Sequence, residues 1–178
     1  MTMEELLALG RLYGFEHVGE LNLPALEFDP RVREMCAADR CHLYGRCWTC
    51  PPHCGSLEEI EGKVRRYQRG LLLQSTGQMV DDFDYEAMET TLKRQQRQFQ
   101  NLAAVIRRSH PGCLPMTSGG CSICRACTCP DAPCRFPEKA MPSMEACGLL
   151  VSKVCTDSGL GYNYGPRTIT FTACILID

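Results

Sequence analysis

The sequence predicts an α/β or α+β fold in which a small mixed sheet is flanked by helices. Segments with apolar residues every three or four positions alternate with short apolar or β-branched runs, the pattern of helices packed on a sheet. The chain has 178 residues, 44% of them hydrophobic, which is enough to bury a core without disulfide bonds. Two Cys-rich segments, at about 36–54 and 113–134, interrupt the pattern as loops. We therefore expect one domain over residues 1–178.

The first half of the chain predicts two helices and two strands. Residues 3–13 carry leucines at helical spacing before Gly14, and residues 15–23 suit a short strand. Ser56 and Glu59 match a capping box that opens a helix to about Arg69. The apolar run 71–75 predicts a buried strand.

The second half predicts two helices and the clearest strand. Residues 84–109 form the longest amphipathic pattern, and the basic residues on its polar face are typical of a solvated surface. Ser143 would cap a helix from 144 to about 157. Residues 168–177 alternate and are β-branched, as in a strand.

Charge and the N-terminal sequence narrow the function classes. The net charge is −2, so the balance of charged residues does not favour binding to nucleic acid or to an anionic membrane. The first residues have no basic segment followed by a long apolar one, and no apolar run reaches the length that spans a bilayer. We expect a cytoplasmic protein, whose thiols stay reduced, and 14 cysteines in that setting favour metal over disulfides.

The second Cys-rich segment has the sharper spacing. Cys121, Cys124 and Cys127 form C-x2-C-x2-C, which can hold three corners of a cubane iron–sulfur cluster. Cys134 is the preferred fourth ligand and Cys129 the second choice, because a C-x-C step is tight for one cube. Zinc is the alternative, with Cys121–Cys124 and Cys47–Cys50 as two knuckles.

The first Cys-rich segment is less regular. Its framework is Cys36, Cys41 and Cys50, the last followed by two prolines. Cys47 and Cys54 are additional thiols. His42 and His53 are possible nitrogen ligands, although ordinary surface roles are favoured for both. Trp48, the only tryptophan, either shields a cluster from water or packs the loop.

Together the two segments resemble a known protein family. The resemblance rests on Cys36, Cys41, Tyr44-Gly45, Trp48 and Cys50-Pro51-Pro52, and on Cys121, Cys124, Cys127, Pro133-Cys134-Arg135 and Pro142-Ser143-Met144-Glu145-Ala146. These residues are similar to a small family of predicted metal-binding proteins of unknown function from anaerobic bacteria and archaea. The resemblance covers roughly residues 30–150.

The resemblance implies metal or iron–sulfur binding, but it does not identify a reaction. It implies one site with Cys36, Cys41 and Cys50, and a second with Cys121, Cys124, Cys127 and Cys134. The positions of Cys47 and Cys54 are not fixed in the family pattern. The fourth ligand of the first site is therefore open between Cys54, Cys47 and a group other than Cys. Cys54 is preferred because the turn after Cys50 can bring it back.

Three functions follow from these patterns. The first is electron transfer in an anaerobic cytoplasm, with two [4Fe–4S] clusters and a redox partner protein. The second is an iron–sulfur enzyme or reductive activator with an open cluster site, in which Glu145 or His53 would be the acid–base candidate. The third is a zinc-stabilised binding module.

Overall fold

The computed structural model describes residues 1–178 and contains five α-helices and four strands. In chain order these are α1 (Met3–Leu12), β1 (His17–Glu20), α2 (Pro30–Ala37), α3 (Leu57–Val64), β2 (Arg69–Gln78), α4 (Tyr85–Ser109), β3 (Leu114–Met116), α5 (Val151–Asp157) and β4 (Thr168–Ile177). A short 3₁₀ turn spans Leu23–Ala25. None of the helices combines the length and the apolar character needed to cross a membrane.

The four strands form one sheet in the order β1-β2-β4-β3. Every pair is antiparallel, and the long central pair places Arg69 opposite Ile177 and Gln78 opposite Thr168. The α+β form of the prediction is therefore confirmed, with a small sheet and flanking helices. The sheet is antiparallel rather than mixed because the chain returns along the neighbouring strand at each pairing.

Both faces of the sheet are covered. Along β4, Ala173, Ile175 and Ile177 point into a core with α1 and α4, while Cys174 and Leu176 point into a second core on the opposite face. This follows from the two-residue period of side chains along a strand. The predicted loop over 113–134 is wrong at its start, because Cys113 lies in the core and Leu114–Met116 pair with β4 as β3. The first Cys-rich segment and the rest of the second lie outside the sheet.

Capping explains several helix boundaries. The boxes at Thr2 with Glu5 and at Ser56 with Glu59 are both formed, and the Asp84 side chain caps α4. These helices and β4 lie close to their predicted positions. The helix from Ser56 is shorter than predicted, ending at Val64.

The predicted helix over 144–157 is wrong in its first half. The Ser143 hydroxyl does accept from the Ala146 amide, but α5 begins only at Val151. Gly148 has a positive φ of 80°, which ends any helix there, and Leu149 instead bridges to Phe28. The unpredicted helix α2 begins at Pro30 and is capped by the side chain of Asp29.

Candidate metal centre

Helix α2 positions the start of the first Cys loop. Cys36 lies in its last turn, and the chain from there to Ser56 has no regular secondary structure apart from turns. Arg33, one turn earlier, donates to the Gly55 carbonyl at 2.8 Å and to the Cys54 sulfur at 3.3 Å. One side chain of α2 therefore holds the far end of the loop that α2 begins.

Helix α4 positions the second Cys loop. Gln96 Nε2 donates to the Ser118 carbonyl at 3.0 Å, and Gln100 Nε2 donates to Ser122 Oγ at 2.9 Å. The buried Ser118 hydroxyl also donates to the Thr172 carbonyl of β4 at 2.6 Å. The segment that leads into Cys121 is thus fixed to both the longest helix and the central sheet.

The two Cys loops are joined to each other. Trp48 Nε1 donates to the Ala132 carbonyl at 3.0 Å, and the Cys129 thiol donates to the Gly45 carbonyl at 3.7 Å. Gly120 lies so close to Leu43 that a Cβ at that position would overlap the leucine side chain. Segments far apart in sequence therefore form one continuous surface around the thiols.

A first cavity, of about 420 Å³, is lined by three of the predicted ligands. These are Cys36, Cys41 and Cys50. Arg40 and Glu145 add one positive and one negative side chain, and the backbone of Gly119 and Gly120 forms part of the wall. The cavity brings the three cysteines of the first predicted site together beside a space of small-molecule size.

A second, much smaller cavity of about 20 Å³ is lined by five thiols. Four of them are the predicted second site, and the fifth comes from the first loop. The five are Cys47, Cys121, Cys124, Cys127 and Cys134. Of the two candidates for the fourth ligand, Cys134 lines this cavity and Cys129 does not.

Cys54, the preferred fourth ligand of the first site, lies apart from the first cavity. It lines a third cavity of about 290 Å³ together with Cys147. Its thiol donates to the Ala146 carbonyl at 3.7 Å while its sulfur accepts from Arg33. Burial raises the pKa of the Cys54 thiol, and the positive charge of Arg33 opposes that rise.

Cys47 and Cys50 are in hydrogen-bond contact across one C-x2-C step. The Cys50 amide donates to the Cys47 carbonyl at 3.1 Å, and the Thr49 hydroxyl lies 3.3 Å from the Cys47 sulfur. Hydrogen bonding by Cys50, the largest cause, and by Thr49 and the Cys121 amide lowers the pKa of Cys47 to about 5. The contact with Cys47, together with burial, raises the pKa of Cys50.

Four other cysteines lie in the hydrophobic cores. Cys113 belongs to the core beneath α4, and Cys147, Cys155 and Cys174 belong to the core on the opposite face. They pack as small apolar side chains. His42 and His53 line neither the first nor the second cavity, and the ring of His53 packs edge-on against Trp48.

The donor set fits a thiophilic metal or cluster. All 14 cysteines are free, and each of the first two cavities is lined by at least three of them. Clustered thiolates select Zn²⁺, Cu⁺ or iron–sulfur clusters over hard cations. As the side chains stand, no three Cys, His, Asp or Glu residues converge tightly enough to hold a metal ion. The sulfurs line the sites without closing on a common point.

Comparison with known proteins supports a metal-binding assignment. A comparison with curated proteins and one with solved structures each found no match. The family model described as "Predicted metal-binding protein (DUF2284)" matches residues 20–177, which include both Cys loops and strands β2, β3 and β4. The chain therefore belongs to this predicted metal-binding protein family.

Proposed function

We propose that this protein carries two [4Fe–4S] clusters and transfers electrons to and from a redox partner protein. The observation that carries the proposal is the division of the loop thiols between two adjoining cavities, one with Cys36, Cys41 and Cys50 and the other with five thiols. A site for one structural metal ion needs four ligands, whereas eight clustered thiols suit two multi-iron groups.

The residues of the chain would tune such a group through hydrogen bonds and burial. The first cluster would be held by Cys36, Cys41 and Cys50. The predicted fourth ligand, Cys54, lines a different cavity and would have to turn toward them. The second would be held by Cys121, Cys124, Cys127 and Cys134. When bound, each cluster supplies one-electron redox chemistry. Donors to the ligand sulfurs, such as the Arg33 guanidinium at Cys54, would make reduction more favourable, and Trp48 would limit access of water beside the second cavity.

Anaerobic reconstitution with ferrous iron and sulfide tests this proposal. We expect about eight iron atoms per chain and an EPR signal after reduction with dithionite. The matched control is the same treatment with zinc in place of iron. A protein that takes up stoichiometric zinc and no iron would contradict the proposal.

A second candidate function, an iron–sulfur enzyme or reductive activator, is favoured by the first cavity. That cavity holds about 420 Å³ beside only three cysteines, and Cys54 lines a different one. Arg40 and Glu145 would bind and orient a polar substrate there.

The iron content of Cys54→Ala distinguishes the enzyme or activator from the electron carrier. Loss of about half the iron indicates a closed four-Cys site, as expected for an electron carrier, and full iron indicates an open one.

A zinc-stabilised module is the third candidate, favoured by the size of the second cavity. Its volume of about 20 Å³ is close to that of one water-sized site, so a single ion fits with smaller side-chain movements than a cubane. Zinc protein is colourless and iron–sulfur protein is brown. The absorption spectrum of anaerobically purified protein therefore distinguishes them.

A further inference from the structure

Cys47 is buried outside the two hydrophobic cores. Its exposed fraction is 2%, lower than that of the partly exposed Cys121, Cys124 and Cys134. The core cysteines belong to one of the two hydrophobic clusters, and Cys47 belongs to neither. Its surroundings are the other thiols of the second cavity, with Trp48 and Thr49 of its own loop.

The sulfur of Cys47 lies among residues of both loops. It is within hydrogen-bond distance, at 3.3 Å, of the Thr49 hydroxyl of its own loop, and Cys47 lines the second cavity beside Cys121 of the other loop. Hydrogen bonds of this kind orient the sulfur ligands of metal centres and adjust their charge. The neighbouring buried thiol of Cys129 has a different role, because it donates to the Gly45 carbonyl and does not line the cavity.

We propose that Cys47 is a sulfur ligand of the second metal site and that its contact with Cys50 joins the two sites. This inference rests on the proposed function for the identity of the metal group, but the ligand assignment comes from the cavity. Because Cys50 lines the first cavity and Cys47 the second, consecutive ligands of one C-x2-C step would belong to different centres. A cubane has four irons, so one of the five thiols around the second cavity would remain free.

Single Cys→Ser variants test the assignment. Cys47→Ser and the control Cys113→Ser, at a cysteine of the hydrophobic core, are reconstituted anaerobically with iron and sulfide, and far-UV circular dichroism verifies that each is folded. We expect Cys113→Ser to keep the iron content of the wild type and Cys47→Ser to lose about half. The inference is wrong if Cys47→Ser keeps all its iron while the serine variants of the other four cysteines of the cavity each lose about half of theirs. Those four are Cys121, Cys124, Cys127 and Cys134. That result would leave the proposed function intact.

A second variant keeps all the thiols and so remains informative if Cys47→Ser does not fold. Thr49→Val removes the hydroxyl that donates to Cys47, and removing a donor to a ligand sulfur lowers the reduction potential of the cluster. The control Thr128→Val removes a hydroxyl that donates to the Pro133 carbonyl instead. We expect a lower midpoint potential for one cluster in Thr49→Val only. Unchanged potentials for both clusters would overturn the assignment.

Metal identity separates failure of the inference from failure of the proposed function. If the wild type takes up zinc and no iron, electron transfer is excluded, and the zinc content of Cys47→Ser compared with that of Cys113→Ser decides the ligand assignment. A drop confined to Cys47→Ser supports it, and equal zinc in both contradicts it. A wild-type protein that takes up neither metal overturns both proposals.

Discussion

The indole of Trp48 donates a hydrogen bond of 3.0 Å to the carbonyl of Ala132 and so joins the first Cys loop to the second. The two residues are 84 positions apart in the chain. Trp48 also lines both the second and the third cavity. The only tryptophan therefore lies at the junction of the two loops.

Trp48→Phe tests this junction. The aromatic ring is kept but the donor is lost, so we expect the free energy of unfolding to fall by about 0.5–1.5 kcal/mol and the iron content after reconstitution to decrease. Urea unfolding followed by circular dichroism measures the first effect. Tyr162→Phe, at a side chain that is 54% exposed, is the control and should leave both values unchanged.

Gly120→Ala should disturb the contact between the loops. The added Cβ would overlap Leu43, which has to rotate away from the wall of the first cavity. We expect a loss of about 1–3 kcal/mol and reduced iron binding, measured by urea unfolding and iron analysis. Gly62→Ala is the matched control, since nothing lies near a Cβ in α3 there. It should be neutral or stabilise by up to about 1 kcal/mol. Equal effects of the two variants would contradict the role of Gly120.

Gln74 should stabilise the sheet through its amide. It is fully buried on β2, where Nε2 donates to the Gly161 carbonyl at 2.8 Å and Oε1 accepts from the Tyr164 hydroxyl at 2.7 Å. Gln74→Leu leaves both partners unpaired, so we expect a loss of about 1–3 kcal/mol in chemical unfolding. Tyr164→Phe removes only one of these bonds and should cost less. A larger loss in Tyr164→Phe would contradict this account.

Alkylation of the metal-free protein should follow exposure. Cys41 and Cys127 are exposed, whereas Cys155 and Cys174 are fully buried. Burial also raises the pKa of Cys174, and the thiolate is the reactive form. We expect iodoacetamide to modify Cys41 and Cys127 first and Cys174 last, as measured by peptide mass spectrometry over time. Early modification of Cys174 would show that the core opens readily.

Stability of the metal-free protein should decrease in alkaline solution. The pKa of Cys174 is raised in the folded state by burial and by the nearby Cys147. In the unfolded chain the pKa of a cysteine thiol is about 8.5. The stabilisation is therefore complete below that pH and is lost as the pH rises toward the folded pKa, because only the unfolded chain releases the proton. Thermal unfolding between about pH 7 and 10 should show a smaller decrease for Cys174→Val than for the wild type.

The elements predicted best are those whose pattern is local. Helix α4 and strand β4 carry long, regular periods, and they lie where the sequence places them. Helix α2 has eight residues and buries only Val32, so its apolar pattern is too short to reveal it. The signal that could have revealed it is Asp29-Pro30, a capping residue followed by proline. The break before α5 depends on Gly148, which also lies against Leu57 of a distant helix.

The grouping of the cysteines is predicted only in part by their spacing. Cys36, Cys41 and Cys50 do line one cavity, and Cys121, Cys124, Cys127 and Cys134 another. Spacing cannot show that Cys47 and Cys50, three residues apart, face different cavities. Nor can it show that Cys54 faces Cys147. Both depend on how the loops pack against each other.

The anchoring of the second loop by Gln96 and Gln100 has a consequence for the order of maturation. Both glutamines belong to a helix whose apolar face is already part of a complete core. Small zinc domains, by contrast, owe their folding to the ion itself. Here the core holds the helix independently of the loop sulfurs, so we expect the chain to fold first and the sulfurs to close on the metal afterwards.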